Sequence, residues 1–210
     1  MGEQPLALFL CSYRRDLLRA RRLADSVRAF NEDQLPLAIA IPRRDMDVFV
    51  DTIGRDGIHW HTQEEIFELT PSAGQAAFAS VSGGHMQQLV KSECWRLGLA
   101  ENHLVLDSDC VFLRAFRRSE FIDTAGMPCT VLDFADELFE MADHLGRPRI
   151  RADWLATSDR VRAFFGNRSP KREGFGSAPF IWSAAVWRDL EARVLRPRGV
   201  TLLQAIEQLG

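Results

Sequence analysis

The chain has 210 residues, 26 basic and 29 acidic side chains, a formal charge of -3 and 46% hydrophobic residues, a balance that suits one ordinary α/β or α+β domain with a real core. The basic residues, 24 Arg and two Lys, are interspersed among the acids and read as codon bias, not as the positive stripe that nucleic acid requires. No apolar run approaches the ~20 residues of a membrane span, the start MGEQPLALFLCSY lacks a signal peptide's basic n-region, and Cys11, Cys94, Cys110 and Cys129 form no C-x-x-C pair, so they read as buried free thiols of a cytoplasmic protein.

In chain order, Leu6 to Tyr13 is a short continuous apolar run, the pattern of a strand buried on both faces. A helical pattern follows from Asp16 to Phe30, with Leu17, Leu18, Leu23, Ala24, Val27 and Phe30 facing inward. Leu35 to Ile41 is a second buried strand, stopped by Pro42, after which Asp45 caps a short helix carrying Met46, Phe49, Val50 and Ile53. Ile58 to His61 reads as a third strand, Glu64 to Leu69 as one or two helical turns, and residues 70–84 as a small, polar loop without period. A strong helix from His85 to Leu97 is ended by Gly98, and His103 to Asp107 is a strand that breaks at its carboxyl end. Alternating strands and helices predict a single-domain, three-layer α/β/α sandwich over residues 1–210 with a mostly parallel sheet. Ligands of such sheets lie at the carboxyl ends of the strands, which puts Ser12 and Tyr13 on the same rim as Asp107 and Asp109.

The sharpest local signal is Leu104-Val-Leu-Asp-Ser-Asp109, an apolar strand that delivers two carboxylates two residues apart. Such carboxylates repel each other unless a cation or proton lies between them. Hard oxygen ligands select Mg²⁺ or Mn²⁺, which would keep positions open for the oxygens of a diphosphate. Gln87 and Lys91 stand four residues apart, hence on one face of the helix that enters this strand. The other reading of each feature is bland: a strand-end turn with solvated acids, and a solvated helix face.

The run Gly84-His-Met-Gln-Gln-Leu-Val-Lys91, the run Leu104-Val-Leu-Asp-Ser-Asp-Cys-Val-Phe-Leu-Arg114 and the segment Ala178-Pro-Phe-Ile-Trp-Ser183 resemble the GT-A class of nucleotide-sugar glycosyltransferases. They are most similar to a bacterial group with a Q-Q-x-x-K helix before a VLDSD strand. The resemblance implies a GT-A fold, a Mn²⁺ or Mg²⁺ ion and a nucleotide-diphosphate sugar as donor. It also implies transfer to a hydroxyl of a glycan or glycolipid acceptor, in bacterial polysaccharide or glycolipid assembly, with peripheral membrane contact at most. Carried onto this chain, Asp109 is the main metal ligand, and Asp107 faces the donor sugar or ribose and shares the metal. Lys91 holds a phosphate or sugar hydroxyl beside Gln87, while Ser12 and Tyr13 receive the nucleotide, Tyr13 by stacking on the base. The loop from Phe165 to Ser177 is expected to be a lid that brings Lys171 to the diphosphate. Asp133, at another strand end, is the candidate base if the reaction inverts configuration.

Two departures keep alternatives open. Many metal-dependent members of the fold add a late histidine ligand, whereas the last histidine here is His144, and the chain stops inside an apparent helix from Thr201 to Leu209. One alternative is a nucleotide-sugar-binding protein of the same fold without turnover. Another is a haloacid-dehalogenase-type phosphatase with Asp107 as nucleophile and Asp109 as acid/base, although roughly 100 residues of α/β pattern precede a motif that normally opens that fold.

Overall fold

The computed structural model describes residues 5–70, 81, 83–167, 173–175 and 179–209. They fall into two compact units, one of residues 1–130 with 178–190 and one of residues 131–177 with 191–210.

The first unit is built on a five-stranded sheet. Its strands are β1 (Ala7–Cys11), β2 (Leu37–Ile41), β3 (Ile58–Thr62), β4 (Asn102–Leu106) and, after the second unit's first segment, β7 (Phe180–Ser183). Their order is β3-β2-β1-β4-β7, with β7 alone antiparallel. Leu8 and Leu10 lie in register with Leu37 and Ile39 on one side and with Leu104 and Leu106 on the other. Because successive side chains alternate across a strand, these residues share one face. Helix α1 (Leu17–Phe30) covers that face with Ala20, Leu23, Ala24 and Val27, and α2 (Met46–Ile53) adds Phe49 and Ile53 to the same cluster. The opposite face carries Ala7, Phe9, Cys11, Ala38 and Ala40, and helix α4 (Gly83–Glu93) lies against β1. Alternation therefore turns two five-residue apolar runs into the middle layer of a three-layer α/β/α fold, as the sequence leads one to expect.

Some local expectations need correction. Leu18, expected to face inward from α1, is 67% exposed. Asp45 does occupy the N-cap position of α2 and is buried, but its side chain makes no capping bond. The strong helix starts at Gly83, two residues early, and tightens into a 3-10 turn at Cys94–Leu97 before Gly98 ends it in the left-handed region with φ +64°. The cysteines are free, yet only Cys11 and Cys94 are buried, while Cys110 is half-buried and Cys129 is exposed. Trp182 sits on edge strand β7, half-buried, stacked on Phe180 and edge-on to Trp187.

The second unit pairs β5 (Leu132–Phe134) antiparallel to β6 (Glu173–Phe175). Helices α5 (Ala135–His144) and α6 (Pro148–Phe165) pack through an edge-on Phe139–Trp154 contact with ring centroids 5.4 Å apart. The terminal helix α8 (Leu202–Leu209) meets α6 where Arg160 donates to the Leu209 carbonyl. Between β7 and α8 run α7 (Ala184–Leu190), a π-helical stretch at Glu191–Leu195 and a helical turn at Arg196–Arg198. Among the described residues no helix is long and apolar enough to cross a membrane.

Candidate functional site

The strand order reverses between β1 and β4: β2 and β3 extend to one side of β1, whereas β4 lies on the other. The carboxyl ends of strands flanking such a switch point form the natural crevice of a parallel α/β sheet. Here the two ends are Cys11-Ser12-Tyr13 and Asp107-Ser108-Asp109, held side by side by the Leu10–Leu106 register. Past β4 the chain turns at once, with the Cys110 amide donating to the Asp107 carbonyl at 3.0 Å. That turn leaves Asp107 half-buried, Ser108 buried and Asp109 exposed.

Two residues of α4 reach this rim. Lys91 has only 3% of its side chain exposed, and its ammonium donates to Asp107 Oδ1 at 2.5 Å. One helical turn earlier, Gln87 Nε2 donates to the Cys11 carbonyl at 3.5 Å. The four-residue spacing thus places a cation under β4 and an amide under β1. The packing has a plain cause: Leu89, Val90 and Cys94 anchor α4 in the core, and Lys91 follows them inward.

Gln63 is a site residue that sequence reasoning missed. It opens α3 (Gln63–Glu68), and its Nε2 donates to the Ser12 carbonyl at 3.2 Å and approaches Cys11 Sγ at 3.5 Å. Its position follows from a capping box in which Thr62 Oγ1 accepts from the Glu65 amide and the Glu65 carboxylate accepts from the Thr62 amide. The T-x-x-E signature at the end of β3 was the available signal. Ser12 is buried, its amide donates to the Ala40 carbonyl, and its hydroxyl has no partner among the described residues. Tyr13 is 43% exposed at the mouth of the crevice. Burial raises the Cys11 thiol to about 12, with the nearby Lys91 charge opposing, so the sulfur under the rim is a neutral packing group.

Ser12, Tyr13, Gln87, Lys91, Asp107 and Asp109 are therefore brought to one rim. Lys171 lies outside the described residues, as does most of the expected lid; of that segment, Glu173–Phe175 forms β6. Asp133 lies on β5 of the other unit, paired in register with Gly174. Among the described residues no group of three His, Cys, Asp or Glu side chains could enclose a metal ion. The donor set at the rim is two carboxylates, one of them with an oxygen already taken by Lys91. Such a set fits an ion of the Mg²⁺ type, which is commonly held by one or two carboxylates and completed by substrate phosphates and water.

Sheet order and flanking layers define a three-layer α/β/α fold, and its likeness to one solved structure makes that fold glycosyltransferase-like. The structure is similar to the crystal structure of mouse xyloside xylosyltransferase 1 in its apo form, with a TM-score of 0.52, 12% identity, and 97% of this chain and 76% of that chain covered. The chain belongs to the family described as "Family of unknown function (DUF6492)", whose profile matches residues 5–204. No curated protein matches its sequence.

Proposed function

We propose that the chain is a single glycosyltransferase domain that moves a sugar from a nucleotide-diphosphate donor to a hydroxyl acceptor. The observation that carries this reading is the pair of carboxylates delivered by β4 to the switch-point crevice, beside a buried hydroxyl at the end of β1 without a partner among the described residues. In this reading Tyr13 stacks on the base, and the Ser12 hydroxyl finds its missing partner in the nucleoside. Lys91 fixes the orientation of Asp107, whose second oxygen faces the donor sugar or ribose. Gln63 and Gln87 hold the carbonyls of Ser12 and Cys11 and so keep the nucleotide floor rigid.

Asp109 and the free oxygen of Asp107 would hold a Mn²⁺ or Mg²⁺ ion, which when bound supplies neutralising charge for a departing nucleoside diphosphate. Lys171 is proposed to add a second cation at the diphosphate. Asp133 is proposed as the group that takes the acceptor proton in an inverting reaction. The acceptor is proposed to be a glycan or glycolipid of a bacterial surface-assembly pathway, with the enzyme in the cytoplasm.

The test is a thermal-shift series with UDP-, GDP-, CMP- and ADP-linked sugars, with and without Mn²⁺. One nucleotide should stabilise the protein in a metal-dependent way, and Asp109→Ala should abolish that response. No response to any of the four would remove the reading. Release of free nucleotide from the responding donor separates a transferase from a binding protein, and hydrolysis of a generic phosphomonoester would instead favour a phosphatase.

A further inference from the structure

Immediately past the crevice lies a cavity of about 490 Å³ that the donor chemistry does not use. Leu106, Cys110, Phe112, Phe116, Phe121 and Pro179 line it, all from the first unit. Leu106 is the residue before Asp107 and Cys110 the residue after Asp109, so the cavity wall brackets the two carboxylates in the chain. Its volume lies in the range of small-molecule sites, roughly 300–1,000 Å³.

The wall is held in place independently of any occupant. The Phe112 amide donates to Ser26 Oγ at 3.0 Å, and the Phe116 amide donates to the Phe30 carbonyl at 2.9 Å, which pins the segment along α1. Phe112 and Phe116 are stacked with centroids 3.9 Å apart, and Phe121 meets Phe116 edge-on at 6.0 Å. The two charged lining residues satisfy each other, Arg114 donating to Glu120 at 2.5 Å, so no free charge in the wall selects an ionic ligand. A cavity so lined favours apolar matter over water. The apolar surface also runs outward: Val111 and Leu113 belong to the lining, and Leu113 is 85% exposed.

We propose that this cavity receives the hydrocarbon chain of the acceptor, so that the sugar or hydroxyl it carries is presented at Asp107 and Asp109. The inference deepens the transferase reading and rests on it for the word acceptor. A chain is favoured over a compact ring because the apolar strip continues past the cavity through Val111 and Leu113.

The test uses the unaltered protein and its own thiols. Cys110 lies in the wall, whereas Cys129 is exposed and outside it, and serves as an internal reference. Alkylation by iodoacetamide is followed residue by residue by mass spectrometry, with methyl or octyl β-glucoside present below the concentration at which micelles form. Octyl glucoside is expected to slow Cys110 alkylation at least fivefold and leave Cys129 unchanged, while methyl glucoside protects neither. Unchanged Cys110 kinetics with octyl glucoside, or equal protection by the methyl compound, overturns the proposal. A nucleotide response in the thermal-shift series without Cys110 protection overturns the cavity assignment alone. Protection without any nucleotide response overturns the acceptor role together with the transferase reading.

Discussion

Asp107→Asn removes the carboxylate that pairs with Lys91 and leaves an ammonium ion with 3% exposure and without that ion pair. Lys91→Met removes the other partner, but the carboxylate left behind is 37% exposed, so water can solvate it. The two substitutions break one ion pair and should have unequal effects. Stranding a fully buried charge costs about 3–5 kcal/mol, and the partial exposure of Asp107 admits enough water to place Asp107→Asn at roughly 2–3 kcal/mol. Lys91→Met exchanges the lysine for an apolar chain of similar volume and should stay within about 1 kcal/mol of the parent. In a chain of this size, 2 kcal/mol corresponds to a fall of about 4–8 °C in Tm. Urea unfolding followed by tryptophan fluorescence at pH 7 measures both variants, and nucleotide thermal shifts on the same samples should be lost in each. If Lys91→Met destabilises the protein as much as Asp107→Asn, the ammonium is not the trapped partner and the assignment of Lys91 to the floor of the site is wrong.

Three further outcomes are expected. Ser12→Ala removes a buried hydroxyl that has no partner among the described residues, so stability should hold or rise by up to about 1 kcal/mol while nucleotide affinity falls; a clear loss of stability would mean that the hydroxyl is already satisfied. Thr62→Ala breaks the capping box of α3, costs about 1 kcal/mol and, by loosening Gln63, weakens the nucleotide response; chemical denaturation and the thermal-shift series read the two effects. Burial holds the His103 imidazole at about 4, below its ordinary 6.5, so its contribution is complete above pH 6.5 and is lost as the pH falls towards 4. Wild type should therefore lose about 2 kcal/mol between pH 7.5 and 5 through this ring, and His103→Leu should not; His61, lowered by burial as well, titrates in both proteins and cancels from the comparison. Equal pH slopes for the two proteins would contradict the burial of His103.

Much of the first unit was legible because its three central strands, β2, β1 and β4, are buried on both faces. Leu37-Ala-Ile-Ala-Ile41 has no polar residue to confuse the pattern, and Pro42 marks its end. The meeting of Gln87 and Lys91 at the rim was legible for the same kind of reason, since a four-residue spacing admits one shared helix face. What periodicity does not carry is the order of strands. Nothing local to Asn102–Leu106 says that it pairs with β1 and not with β3, yet that choice creates the switch point. The pairing of Lys91 with Asp107 was not legible, because a shared helix face says which side the lysine is on and not which strand end it meets. The cavity beyond Asp109 was invisible because residues 110–116 have neither helical nor strand period, and the bonds from the Phe112 and Phe116 amides to Ser26 and Phe30 of α1 arise only from tertiary folding.

The burial of Lys91 also bears on how the protein can be handled. In a chain whose cations are otherwise arginines, the only other side-chain amine is Lys171. Amine-directed reagents need a solvent-accessible, deprotonated nitrogen, and the Lys91 nitrogen sits under Asp107 with almost none of its side chain exposed. Coupling chemistry that would scatter over the surface of a lysine-rich protein is thereby confined to very few positions. A fluorophore or tether attached through side-chain amines in the native state should leave the ammonium beneath Asp107 intact.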